Sequence, residues 1–168
     1  GYLKSSPKGD YLALAVESLK VFEIFHFDSK SGDITLLANL PAGDEQNVET
    51  PMHAAYGVEF SPTSNYFYGS TREGGMIYRW NLEGDTQTKI RRSLEVIYES
   101  SDNILCGALQ LAFNGKIYVT FSGQQFLGVI NSPTQENCNF QRQGASLIDN
   151  NKGEGGRGYY GLPTFLPD

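Results

Sequence analysis

A chain of 168 residues with 39% hydrophobic and 19% charged residues has the size and composition of one folded domain, which excludes a disordered segment. A formal charge of −6, with no basic run longer than Lys89-Ile90-Arg91-Arg92, argues against a nucleic-acid partner, because a phosphate backbone would be repelled. No apolar run approaches the roughly 20 residues of a membrane-spanning helix, and 10 Tyr, 10 Phe and 19 Gly beside 2 Met and 1 Trp lean the chain towards strands and tight turns.

Gly1-Tyr2-Leu3-Lys4-Ser5 starts in mid-strand, with no initiator Met and no basic-then-apolar signal. The expectation is a fragment of a longer precursor, or a chain whose targeting segment was removed. Ser6-Pro7-Lys8-Gly9 turns the chain into a second strand, Tyr11-Leu12-Ala13, with Pro7 fixing φ early in the turn. A third strand is predicted over Val21 to Phe27. The polar loop Asp28 to Asp33, with Gly32 inside it, then leads into Ile34-Thr35-Leu36-Leu37 as a second hairpin.

The same plan returns at Val58-Glu59-Phe60, turns at Ser61-Pro62-Thr63-Ser64 and continues as Tyr66-Phe67-Tyr68, with Met76 to Leu82 as its third strand. It returns again at Leu109-Gln110-Leu111, turns at Asn114-Gly115 and continues as Ile117-Tyr118-Val119, with Phe126 to Asn131 third. Asn-Gly is a strong hairpin signal because both residues tolerate positive φ. Pro7, Gly9, Pro62, Asn114 and Gly115 are therefore the turn residues on which the repeat depends. Gly161-Leu162-Pro163-Thr164-Phe165-Leu166 echoes Gly57-Val58-Glu59-Phe60 as the start of a fourth unit.

Ser6 and Ser61 are 55 residues apart, and Ser61 and Ala112 are 51 apart. Four short strands at that period match a β-propeller blade slightly enlarged over the usual ~40–50 residues. The fold class is thus all-β: a WD40-like β-propeller segment of about three four-stranded blades plus one strand. The blades are placed at residues 1–50, 56–101 and 107–150, with 159–168 opening a further blade. No stretch keeps an apolar 3.6-residue period over three turns, so almost no helix is expected. Closed propellers need roughly 4–8 blades. A protein partner, or the remainder of a longer precursor, is expected to complete the ring over the uncovered ends.

Gly107-Ala108-Leu109-Gln110-Leu111-Ala112-Phe113-Asn114-Gly115-Lys116-Ile117-Tyr118-Val119 is followed by Leu127-Gly128-Val129-Ile130-Asn131-Ser132-Pro133, Cys138-Asn139-Phe140 and Tyr160-Gly161-Leu162-Pro163-Thr164-Phe165. This run resembles the C-terminal part of the propeller in large secreted surface proteins of Bacteroidetes. Their pattern is G-A-L-Q-L-A-P-D-G-K-I-Y-V, L-x-V-I-N-N-P, C-x-F/Y and G-L-P-x-F. Tyr56 to Tyr68 also fits, and the first unit fits more loosely. Phe113 stands where that family has Pro, Asn114 where it has Asp, and no Cys lies near Gly158 to pair with Cys138. The resemblance implies a secreted or cell-surface module, of the kind found with PKD repeats, type IX secretion and gliding motility, serving adhesion or other protein or glycan interaction. It names no ligand.

Candidate chemistry is sparse. Gly153-Glu154-Gly155-Gly156-Arg157-Gly158 has the letters of G-x-G-x-x-G, but Tyr159-Tyr160-Gly161-Leu162-Pro163 cannot open the helix that a dinucleotide site needs, so an inter-blade loop is expected. His26 alternates with Phe25 and Phe27 as a strand-face residue. His53 lies in the connection entering a blade, near one mouth of the propeller, and is a candidate ligand-facing residue. Tyr159 and Tyr160 are the others, as an exposed pair on which a sugar could stack, whereas Tyr66, Tyr68 and Tyr118 are expected to pack between blades.

The carboxylates Glu17, Glu23, Asp44, Glu45, Glu59 and Glu73 show no acid–base spacing. Asp28 to Asp33 lacks the D-x-D-x-D-G order of a Ca²⁺ loop, no Cys/His pair has zinc spacing, and G-x-S-x-G is absent. No catalytic residue, metal or cofactor is assigned. Cys106 and Cys138 either form a disulfide or stand as two buried thiols, the second being favoured. The alternative to a non-catalytic module is a propeller enzyme of the lactonase type, which Tyr56-Gly57-Val58-Glu59-Phe60-Ser61-Pro62 also resembles. That reading requires carboxylates such as Glu59 to converge on an acidic central site.

Overall fold

The three repeat units form three four-stranded antiparallel sheets, each a meander in chain order. The structure is a computed structural model and describes residues 2–43, 53–84, 86–148 and 155–162. The first sheet holds β1 (Leu3–Ser5), β2 (Tyr11–Val16), β3 (Val21–Phe27) and β4 (Ile34–Pro41). The second holds β5 (Ala55–Phe60), β6 (Tyr66–Thr71), β7 (Met76–Asn81) and β8 (Glu95–Glu99). The third holds β9 (Cys106–Leu111), β10 (Ile117–Phe121), β11 (Phe126–Ile130) and β12 (Phe140–Ser146). Residues 163–168 of the further strand, Gly153 and Glu154 of the glycine-rich run, and Asp44 and Glu45 lie outside the described residues.

All three first hairpins use one turn geometry. Gly9 N donates to Ser6 O, Ser64 N to Ser61 O and Gly115 N to Ala112 O, each at 2.9 Å. The last residue of each turn has positive φ: Gly9 at 72°, Ser64 at 62° and Gly115 at 76°. Of Asn114 and Gly115, both of which tolerate positive φ, only Gly115 is left-handed. Asn114 contributes instead through its side chain, whose Oδ1 accepts from Lys116 N and whose Nδ2 donates to the Tyr118 hydroxyl. Pro7 and Pro62 hold the second turn positions, where the ring's fixed φ suits the turn. Pro41 is tolerated because β4 is an outer edge strand.

Among the described residues one short α-helix, beside single 3-10 turns at Glu17–Leu19 and Leu82–Gly84, interrupts the all-β pattern. It is α1 (Gln87–Arg92), capped by the Thr86 hydroxyl, which accepts from Lys89 N, and anchored by the buried Ile90. At six residues it is too short to have left an amphipathic signature.

Adjacent sheets pack face to face through β1, β5 and β9, the first strand of each. A bulge recurs at the start of the later two. Tyr56-Gly57 oppose Ser70 in the second sheet, and Gly107-Ala108 oppose Thr120 in the third. The unpaired backbone groups at this level join neighbouring sheets. Tyr2 N donates to Tyr56 O at 3.2 Å, and Ala108 N donates to Tyr160 O at 2.7 Å. Between them Gly57 N donates to Ser70 Oγ, and that hydroxyl donates to Gly107 O at 2.5 Å. Residues 158–162 thus lie beside β9 where the first strand of a next blade belongs.

The junction between the first and second sheets buries Phe22, Phe67 and Trp80, with ring centroids 5.5–5.7 Å apart. Gly69 makes room for this cluster, because a Cβ there would stand 2.7 Å from the Phe22 ring. Gly69→Ala should therefore cost about 1–3 kcal/mol of stability through overpacking. The single tryptophan sits in this junction and reports it by fluorescence. A urea midpoint for Gly69→Ala that matches the parent chain would show the junction to be looser than described.

Candidate functional site

Lys4, Glu59 and Gln110 occupy the same register position of β1, β5 and β9, opposite Ala13, Tyr68 and Tyr118 in their neighbouring strands. Repetition therefore brings one amine, one carboxylate and one amide together where the three first strands meet. Lys4 Nζ lies 2.7 Å from Glu59 Oε2, 2.7 Å from Leu109 O and 2.9 Å from Gln110 Oε1, so a residue of the first sheet reaches the third. Leu111 N also donates to Glu59 Oε2 at 2.7 Å, and Phe60 N donates to Glu59 Oε1 at 2.9 Å. The two side chains are only 12% and 5% exposed. Every donor of the amine has an acceptor, and both carboxylate oxygens are occupied.

One step along the strands, at their starting ends, lie Tyr2, Tyr56 and Tyr160. Tyr2 and Tyr56 meet edge to face with centroids 5.6 Å apart, and Tyr56 meets Tyr160 in the same manner at 5.8 Å. Tyr160 reaches Tyr56 over Gly107, the position in β9 that carries no side chain. Burial raises the Tyr56 pKa, with Tyr2 adding to the effect, so this hydroxyl stays protonated and neutral. Beside the row, Arg72 pairs with Glu17 at 2.9 Å, bridging the β2–β3 and β6–β7 turns. Aromatic faces, hydroxyls and an exposed ion pair form a surface suited to stacking and hydrogen bonding.

The candidate residues divide. Tyr159 is 66% exposed, whereas Tyr160 is packed against Tyr56 and hydrogen-bonded through its carbonyl. The expected exposed pair is thus corrected to one exposed ring and one built into the row. His53 is half-buried; a Cβ at Gly74, which has φ of 74°, would clash with its ring. It lies in the connection between β4 and β5, with its ring against the β6–β7 turn and its backbone N donating to Ala42 O. Burial lowers the His53 pKa, and Lys20 lowers it further.

His26 packs its ring, tilted, against Tyr11 across the β2–β3 pairing, as a strand-face residue should. Tyr68 is buried between sheets, with its hydroxyl donating to Pro133 O at 2.9 Å. Asp28 Oδ1 accepts from Lys30 N and Ser31 N, which closes the hairpin loop and lowers the carboxyl's pKa. Among the described residues no three His, Cys, Asp or Glu side chains are grouped to hold a metal ion. Cys106 and Cys138 are free buried thiols, and burial pushes the Cys106 pKa up to about 12.

Solved structures carry the same architecture. A protein from Lactobacillus plantarum aligns with a TM-score of 0.58 at 17% identity over 93% of this chain and 39% of its own. The β-propeller domain of Cps50 (Swd1) from Myceliophteria thermophila aligns with a TM-score of 0.50 at 15% identity over 71% of this chain and 36% of its own. A candidate 6-phosphogluconolactonase from Bacteroides uniformis aligns with a TM-score of 0.53 at 14% identity over 89% of this chain and 44% of its own. The fold is that of a β-propeller segment. At such identities only the fold is shared, and the chain spans less than half the length of each of these structures. No family model and no curated protein matches the chain.

Sequence reasoning named Glu59 but missed Lys4 and Gln110. The signal was present, because all three stand two residues before the turn that starts with Ser6, Ser61 and Ala112. Stacking the repeats in columns exposes a Lys/Glu/Gln column that composition conceals.

Two outcomes follow from this geometry. Lys4→Met leaves a buried carboxylate without its cation and should destabilise the chain by about 3–5 kcal/mol, while adding Glu59→Gln should recover most of that loss. Equal urea midpoints for the single and double variants would refute the coupling. His53 gives a pH dependence whose sign is fixed. Its folded pKa lies below the ordinary value of about 6.5, so the unfolded chain binds the proton first as pH falls. Stability should be full above that value and decline as pH drops through it towards the lower folded pKa. His53→Gln should flatten the contribution in urea titrations at pH 7.5 and 5.5.

Proposed function

We propose that this propeller segment is a non-catalytic binding module of the extracellular or cell-surface kind, engaging protein or glycan at the tyrosine-bearing ends of its first strands. The observation that carries the reading is the state of Glu59. It is the carboxylate that comes to the meeting point of the three sheets, and its oxygens are taken by Lys4, Leu111 N and Phe60 N. Three of the roughly four acceptor sites of this carboxylate are thereby taken, and the adjacent ammonium neutralises its charge, which opposes metal binding and proton transfer to a substrate. The tyrosine row beside it offers contact area instead.

Placement at the cell surface is supported by the resemblance of residues 107–165 to secreted propellers. A need for neighbours is supported by the outer face of the first sheet, where Leu3 is 63%, Leu36 56% and Ile34 55% exposed. Leu12, Leu14 and Phe25 share that face by register. A protein partner or the remainder of a longer precursor would cover it and complete the ring.

The lactonase-type alternative makes an opposite demand on Glu59. The purified full chain is incubated with 6-phosphogluconolactone and glucono-δ-lactone, with and without Ca²⁺, and ring opening is followed by acid release. Hydrolysis should stay at the spontaneous rate. Turnover above that rate that disappears in Glu59→Gln would overturn the non-catalytic reading and install the enzyme in its place.

A further inference from the structure

The glycine-rich run that fails as a nucleotide motif builds something else. From its described part, Gly155-Gly156-Arg157-Gly158, Arg157 supplies one wall of a cavity of about 390 Å³ at the rim of the third sheet, within the roughly 300–1,000 Å³ of small-molecule sites. The opposite wall is the β10–β11 turn, and the two are fastened by backbone. Gly123 N donates to Gly158 O at 2.8 Å, Gly158 N to Gln124 O at 2.7 Å and Leu147 N to Gln125 O at 2.8 Å. Ile148 and Gly155 pair as an isolated bridge. The cavity is therefore framed by main-chain hydrogen bonds, and its lining comes from β11 and β12 as well as from turns.

The lining has a definite chemistry. Gln124, Gln125 and Gln143 present three amides for which no hydrogen-bond partner exists among the described residues, and Ser146 adds a hydroxyl. Phe126 and Ile148 supply apolar surface. No carboxylate is among the described lining residues, in a chain whose net charge is −6. Arg157 is the cation of the site, and its Nη1 donates to Gly123 O at 3.0 Å, which orients the guanidinium on the turn. Arg142, which lies 5.9 Å from the Phe126 centroid, is already paired with Asp102. Arg157 has no carboxylate partner among the described residues.

We infer that this cavity binds a sugar acid, a polyhydroxylated ring bearing one carboxylate. The free edge of the Arg157 guanidinium takes the carboxylate. The amides, each both donor and acceptor, take ring hydroxyls. Phe126 and Ile148 receive the apolar C–H face of the ring. A neutral sugar leaves the guanidinium unused, and a bare anion leaves three amides and the apolar floor unused. The site stands apart from the tyrosine row, so it does not depend on the reading of Glu59.

Titration of the full chain with glucuronate, galacturonate, glucose and acetate, followed by ligand-observed NMR, tests the assignment. At least one uronate should bind in the millimolar range, with glucose and acetate each about tenfold weaker or worse. Arg157→Gln should reduce uronate binding to the glucose level, and Gln143→Ala should weaken it without removing the preference for the acid. Both side chains are exposed, and an unchanged Trp80 urea midpoint confirms that the variants fold. Glucose or acetate binding as well as the uronates, uronate binding indifferent to Arg157→Gln, or no binding by either uronate overturns the inference. Because no turnover is read, failure here leaves the non-catalytic reading standing.

Discussion

The ion pair between Lys4 and Glu59 is the constraint around which the three sheets are arranged. An amine of the first sheet, a carboxylate of the second and acceptors of the third must come within 3 Å of one another. That is met only when the three first strands share one register. A one-residue slip of β1 would turn Lys4 to the opposite face and present Leu3 or Ser5 to Glu59. Buried ion pairs contribute little net stability, because desolvation offsets their attraction. Their effect here is on alignment: the wrong register leaves a desolvated carboxylate unpaired, while apolar packing alone tolerates small slides. The backbone links from Tyr2 to Tyr56 and from Ala108 to Tyr160 then extend the same register to the strand ends.

Much of the fold was legible because it rests on local chemistry repeated three times. Turns that begin Ser-Pro or carry Gly announce hairpins, and alternating Tyr, Phe and Leu announce the strands after them. The geometry at Asn114-Gly115 was less legible. The same dipeptide serves two hairpin types, and the neighbouring turns at Gly9 and Ser64 show that a single left-handed residue at the fourth position is what the repeat uses. The helix α1 was invisible to periodicity because six residues complete fewer than two turns.

The candidate site was harder to read, for a physical reason. Lys4 and Gln110 look like solvated surface residues in any local window, and only the fold cancels their exposure. Tyr160 likewise looked like half of an exposed pair, since nothing local reveals that Gly107 leaves the space through which it reaches Tyr56. Arg157 was seen only as a letter within a glycine motif. Long-range proximity decides all four cases, and a single sequence carries no direct record of it. Aligning a repeat with itself recovers part of that record, because equivalent positions in a propeller become spatial neighbours.

The faces of the sheets show what the inter-sheet junctions require. At each internal junction the face turned towards the preceding sheet is apolar: Val58, Phe60, Phe67 and Trp80 in the second sheet, and Leu109, Leu111, Ile117 and Ile130 in the third. The face it meets adds a polar group to an apolar ground in one case, with Lys4 beside Ala13, Phe22, Ile24 and Leu40, and is mixed in the other, with Glu59 and Arg79 beside Tyr68. The two end faces keep the same division. The first sheet turns outward a largely apolar face, with Leu3, Leu12, Leu14, Phe25 and Leu36 beside Ser5, Glu23 and Asn39. The third turns outward the mixed kind, with Gln110, Tyr118, Val129 and Gln141, and residues 158–162 have begun to cover it. A surface selected only for solvent would replace the leucines of the first face with polar residues at no structural cost. That face instead retains the composition of a junction, and the mixed face at the opposite end is the type it packs against elsewhere in the chain.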